Sequence, residues 1–132
     1  MPASHHIDNE ARLIITTLEG DAIDNDFIEA LIKYQKDVQN KPDRLDYNEI
    51  VNLKKVSRIK LSLKGLKNIG KIASSTDKYR TKTKLAIIVS SDLAFNFARL
   101  YATYRNFGKS TNKKIAVFKS ESDALDWIHN HT

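Results

Sequence analysis

The sequence predicts an α/β fold: a mostly parallel, mixed sheet of about five strands with an N-terminal hairpin and four helices, in the order β-β-α-β-α-β-α-β-α. Three observations predict it. Two runs, Leu85 to Val89 and Ile115 to Phe118, are apolar at consecutive positions, as strands covered by helices on both faces are. Each is followed at once by a capped helical pattern, from Ser91 or Asp92 and from Ser120. Strand-like and helix-like segments alternate through the rest of the chain, and strands joined through helices pair in parallel with right-handed crossovers.

Taken in order, His5 to Asn9 reads as a short edge strand, paired across Asn9-Glu10 with the β-branched run Arg12 to Leu18. Glu19-Gly20-Asp21 reads as the turn that ends this second strand. Asp24 is placed to cap the first helix, with Ile23 and Ile28 as a hydrophobic staple. That helix presents Phe27, Ile28, Leu31, Tyr34 and Val38 to the core and stops before Pro42. Tyr47 to Leu53 is the third strand. Ser62 caps a second helix whose Leu63, Leu66, Ile69 and Ala73 lie within about 120° of one another, a one-sided apolar face. Gly65 and Gly70 weaken this helix by roughly 1 kcal/mol each relative to Ala, and either permit close packing on the sheet or leave the helix mobile. The third helix runs from about Asp92 to Phe107, with Gly108 suited to the position past its end. The last carries Ala124, Leu125, Trp127 and Ile128 behind a Ser120 cap and early acids.

The length, 132 residues, fits a single domain spanning 1–132. No apolar run approaches the roughly 20 residues that a membrane-spanning helix needs. The chain has no cysteine, which removes disulfides, thiolate metal sites and cysteine nucleophiles together. The start, Met-Pro-Ala-Ser-His-His, lacks a basic segment leading into an apolar one, so a cytoplasmic location is expected. The formal charge of +6 is unevenly distributed: residues 1–53 carry net −6, residues 54–84 net +10, and residues 85–132 net +2. An anionic partner would therefore dock on the middle stretch.

Three strings carry a family resemblance: Val51-Asn52-Leu53-Lys54, the run from Ser91 to Tyr101, and Ala124-Leu125-Asp126-Trp127-Ile128. With the element order, they resemble the SpoIIAA-like group, the fold of STAS domains (anti-sigma-factor antagonists) and of many small bacterial proteins. That group often shows Asp-Leu-Arg at the first string, Phe-Gly-x-x-Arg at the second and Ala-x-x-Trp-Leu at the third. Here Asn52, Lys54 and Asn96 depart from the pattern. The resemblance implies a regulatory or protein-interaction module, expected to be dimeric. STAS antagonists carry an Asp-Ser-Ser-Gly-like phosphorylation motif after the central strand. The corresponding Lys60-Leu61-Ser62-Leu63 keeps Ser62 alone, so Ser62 is a phosphorylation candidate that its capping role already explains. The related CRAL-TRIO lipid carriers suggest a second function, the binding of a lipid or small amphiphile.

The candidate contacts follow. Lys64, Lys67, Lys71 and Lys78 fall in a stripe about 60° wide on the second helix, preceded by Lys60. They suit phosphate, on nucleic acid or anionic lipid, or else form a solvated face balancing the acidic first third. Tyr79 is the sole aromatic between residues 54 and 84, which argues against single-strand recognition by stacking. The third helix is apolar on more than one side: Leu93, Phe97, Leu100 and Tyr104 share one face, while Ala94, Ala98, Tyr101 and Arg105 turn away from it. The excess calls either for cover by long neighbouring helices within the monomer or for a second contact, with Phe95, Phe97, Tyr101 and Tyr104 against a partner or ligand and Arg99 either snorkelling or meeting an anionic group. A ligand reading calls for a cavity of about 300 Å³ or more beside this helix. No metal-ligand spacing, phosphate loop or Gly-x-Ser-x-Gly elbow occurs, so neither a cofactor nor an enzymatic activity is expected.

Overall fold

The computed structural model describes residues 3–41, 46–60, 62–77, 83–106 and 113–130. Five strands, β1 (Ala3–Asp8), β2 (Leu13–Ile23), β3 (Asn48–Lys60), β4 (Thr83–Ile88) and β5 (Lys113–Phe118), form one sheet in sequence order. β1 is antiparallel to β2, and every later pair is parallel. The helices are α1 (Asp24–Asn40), α2 (Leu63–Asp77), α3 (Asp92–Asn106) and α4 (Glu121–His129). Each parallel step moves the same way across the sheet, so crossovers of one hand place α1, α2 and α3 on one face. α4 packs on the other, where Ala124 and Ile128 meet Ile50, Ala86 and Ile88.

Strand alternation decides what each layer sees. Leu85 and Ile87 of β4, with Val89 just past its end, belong to the cluster on the three-helix face, and Ala86 and Ile88 pack with α4. A central strand covered twice has no polar face to show, which is why Leu85 to Val89 reads as an unbroken apolar run. β5 has the same composition but lies at the sheet edge. Its Ala116, Val117 and Phe118 are half-buried, and Phe118 is covered by Trp127 of α4, ring centroids 5.6 Å apart.

The structure departs from the sequence reading at the ends of β2 and β3. Glu19-Gly20-Asp21 does not end β2; the strand runs on to Ile23 through register shifts, with Gly20 at φ +72°. Only a residue without Cβ takes that dihedral at little cost, so a turn signal has become an irregularity inside a strand. β3 likewise continues past Leu53 to Lys60, pairing with this extension. Glu19 lies opposite Lys55 and Asp21 opposite Arg58, and the Glu19–Lys55 pair closes at 3.6 Å. Two cations of the basic stretch, Lys55 and Arg58, are thus set opposite acids of the first third by strand pairing. At the other end Arg12 is not in β2 but in the hairpin turn, at φ 54°, its guanidinium 5.2 Å over the Tyr47 ring.

Helix starts also differ. Asp24 is the first residue of α1 rather than its cap, and the Ile23 amide is satisfied by the Asp26 carboxylate at 2.9 Å. Asp24 reaches across to α2, accepting from the Ser62 hydroxyl at 3.0 Å and its amide at 3.3 Å. Ser62 in turn caps α2 by accepting from the Gly65 amide at 2.8 Å. A Cβ on Gly65 would collide with the Asp24 carboxylate, so this glycine permits the α1–α2 contact. In a double-mutant cycle, Gly65→Ala should destabilise the wild type, but stabilise an Asp24→Ala background by up to about 1 kcal/mol through helix propensity. Equal effects in both backgrounds, measured by urea unfolding, would refute this account. Leu63, expected on the buried face of α2, is 64% exposed because it sits in the first turn, ahead of the covered Leu66, Ile69 and Ala73. The Val38 side chain, Phe107 and Gly108 lie outside the described residues.

Candidate functional site

Between the sheet and the three-helix layer lies a partly enclosed cavity of about 140 Å³. Its walls come from the inward-facing residues of β2 to β5 and from one stripe of each helix: Phe27, Ala30, Leu31 and Tyr34 of α1, Leu66, Ile69 and Ala73 of α2, and Ala94, Phe97, Ala98, Tyr101 and Arg105 of α3. The α3 stripe explains the space. Its core-facing residues Ala94, Ala98 and Ala102 are small, so this helix lies over the sheet without filling the gap beneath it. The cavity is less than half of the roughly 300 Å³ that the ligand reading called for, which limits any occupant to a small molecule.

The cavity has two unlike ends. Glu49 is the second residue of β3 and Lys113 the first of β5, so both sit at the N-terminal edge of the parallel strands. The crossover helices run back toward that edge, which brings Tyr34, late in α1, and Arg105, late in α3, to the same place. Glu49 and Lys113 form an ion pair there, their side chains 9% and 5% exposed. The Lys113 ammonium stands 5.5 Å over the Tyr34 ring. Arg105 is also buried, and it donates to the Tyr101 hydroxyl at 2.7 Å. Thr83, in register with Lys113, is 3% exposed and its hydroxyl has no hydrogen-bond partner among the described residues. At the opposite end the wall is apolar, formed by Leu18, Phe27, Leu53, Leu66, Ile87 and Ala94.

Thr16 joins the cavity to the outer hairpin. It lines the wall, and its hydroxyl is 2.8 Å from Nδ1 of His5 on β1. Burial lowers the His5 pKa below its ordinary 6.5, and Lys33 adds to this; Asp37, the Ala30 carbonyl and Glu49 partly oppose it. A base whose folded pKa is depressed contributes stability that is present above 6.5 and lost as pH falls through its folded pKa. His5→Asn should therefore lose less stability than the wild type between pH 7 and pH 5. Parallel urea midpoints for the two proteins would count against this effect.

The predicted contact residues divide between cavity and surface. Phe97 and Tyr101 line the cavity, and Phe95 packs half-buried against the same core. Arg99 is exposed, its guanidinium 5.9 Å over the Phe95 ring, which is the snorkelling arrangement. Lys60, Lys64, Lys67 and Lys71 are all exposed, whereas Lys78 and the Tyr104 side chain lie outside the described residues. Ser62 is exposed but engaged on both sides, and a phosphate there would face the Asp24 carboxylate. Sequence reasoning missed Glu49, Lys113 and, as an inward residue, Arg105. Their signal was present: Glu49-x-Val51-x-Leu53 and Lys113-x-Ile115-x-Val117 each put a charge on an apolar stripe, and Arg105 continues the stripe of Ala94, Ala98 and Tyr101.

No helix among the described residues is long and apolar enough to cross a membrane, and no cluster of three metal-ligating side chains occurs among them. No protein-family model matches the sequence, and no curated protein does. The fold is similar to that of a solved structure, a protein of the DUF3478 family with a SpoIIAA-like fold from Shewanella loihica PV-4. The two chains are 15% identical and superpose with a TM-score of 0.61 over 96% of this chain and 91% of that one. With its five-stranded mixed sheet, four helices and alternating order, this protein has the SpoIIAA-like fold.

Proposed function

We propose that the protein is a non-enzymatic binding module that encloses a small amphiphile between its sheet and its three-helix layer. One observation carries this reading: a cavity of about 140 Å³ whose walls are apolar apart from Thr16, with a charged end formed by Glu49, Lys113 and Arg105. Ligand sites have this composition, apolar lining with a few convergent polar groups. An engineered apolar cavity of about 150 Å³ in another protein takes up benzene, so the volume suffices for a compact organic molecule. Native mass spectrometry of gently purified protein tests the proposal. The expected result is a reproducible adduct on the order of 100 Da, the mass of a ligand of that size. Bare protein that also fails to take up small amphiphiles in titration would refute it.

A second reading, an interaction module, is favoured by Leu93 and Leu100. They lie seven residues apart on the outward face of α3, 65% and 47% exposed. If that face binds a second copy, sedimentation at micromolar concentration will show a dimer that Leu93→Glu with Leu100→Glu converts to monomer. A wild-type monomer removes this reading.

A further inference from the structure

We propose that the outward seam between α2 and α3 docks the protein on an anionic lipid bilayer, with Lys64, Lys67 and Lys71 on the head groups and Leu63, Leu93 and Leu100 entering the interface. This surface is separate from the cavity and needs no ligand inside it.

Contacts on the far flank of each helix fix where these side chains lie. A Cβ on Gly65 would meet Asp24, so that flank of α2 faces α1. Leu63, two positions earlier, is about 160° away round the helix and falls on the flank toward α3. On α3, Lys119 just past β5 pairs with Asp92 and stands 5.4 Å over the Phe95 ring, which marks the flank toward the sheet edge. Leu93 and Leu100 lie about 140° to 160° round from Phe95, on the flank toward α2. Both helices start past the C-terminal ends of parallel strands, so Leu63 and Leu93, the first and second residues of their helices, share one edge. All three leucines are exposed, as are the three lysines beside them.

The lysines suit an anionic partner better than they suit their own helix. Lys64, Lys67 and Lys71 follow at spacings of three and four, where like charges repel. The first turn of α2 holds no acid, which the helix dipole favours there, and Lys64 takes that place. None of the three is in an ion pair among the described residues.

The leucines select the kind of partner. The phosphate backbone of a nucleic acid attracts lysines but gives exposed leucines nothing apolar to enter. A second copy in two-fold contact would set these lysines against their own equivalents. A bilayer interface receives both, since binding there grows with apolar area buried and with attraction to acidic head groups.

Cosedimentation of the intact protein with lipid vesicles tests the proposal. Mixed phosphatidylcholine–phosphatidylserine vesicles should carry the protein down, and phosphatidylcholine alone should not. Lys64→Gln, Lys67→Gln and Lys71→Gln together should weaken binding on the order of a hundredfold, at about 1 kcal/mol for each lysine near the surface. Leu63→Gln with Leu93→Gln leaves the charge unchanged and should weaken binding about tenfold or more. No sedimentation with the mixed vesicles overturns the proposal. Vesicle binding that the leucine variant leaves unchanged, and from which duplex DNA displaces the protein, overturns it too and assigns the lysines to a nucleic acid.

Discussion

Lys113→Met is expected to destabilise the protein by about 3–5 kcal/mol, because it takes the Lys113 ammonium away from the buried Glu49 carboxylate in the wall of the cavity. Both partners of the pair are almost fully covered, and bulk water cannot replace the lost cation. Restoring balance should restore stability. Lys113→Met with Glu49→Leu exchanges a buried ion pair for apolar contact, and such exchanges are commonly neutral or stabilising. Urea unfolding of the two single variants and the double variant measures the coupling directly. A Lys113→Met cost below about 1 kcal/mol would mean that this end of the cavity is wet, as exposed pairs of that worth are.

Leu18→Ala is expected to cost about 2–5 kcal/mol, the usual range for a fully buried leucine. Leu18 is 1% exposed, packs with Leu53 and Leu85 in the largest apolar cluster, and forms part of the apolar end of the cavity. Its truncation therefore does two things at once. It removes core contacts, and it lengthens the cavity away from Arg105 and Lys113. A small amphiphile whose tail is too long for the native cavity should bind Leu18→Ala more tightly than it binds wild type. Ligand that binds only the folded state raises the unfolding midpoint. A Leu18→Ala variant that is destabilised but unchanged in its chain-length preference would place the ligand tail elsewhere.

Patterns that depend on local chemistry were readable without coordinates. Apolar runs, serine caps at Ser62 and Ser120, and the alternation of element types specify β4, α2, α4 and the chain order, since each is a property of neighbouring residues. The extensions of β2 and β3 were not readable in the same way. Glu19-Gly20-Asp21 has the composition of a turn, and Lys54 to Lys60 that of a solvated charge run. Each becomes a strand because the other lies beside it, with opposite charges in register.

The candidate site shows the same division. Phe97 and Tyr101 could be singled out from the excess of apolar residues on α3, and the structure places both on the cavity. Arg99 drew attention as the cation among apolar neighbours, yet it faces solvent; Arg105, six residues further on, faces the cavity. A helical wheel gives relative angles but not which arc meets the sheet. Here the arc of small residues does, because alanines let the helix approach while Leu93 and Leu100 are left outside.

Sequence alone determined the fold class, the order of elements and the small residues that shape α3, because short-range periodicity and capping are written in adjacent positions. The meeting of Glu49, Lys113, Tyr34 and Arg105 was decided by tertiary structure. They belong to four different elements, and it took parallel pairing with one-handed crossovers to bring the starts of two strands and the ends of two helices to a single edge.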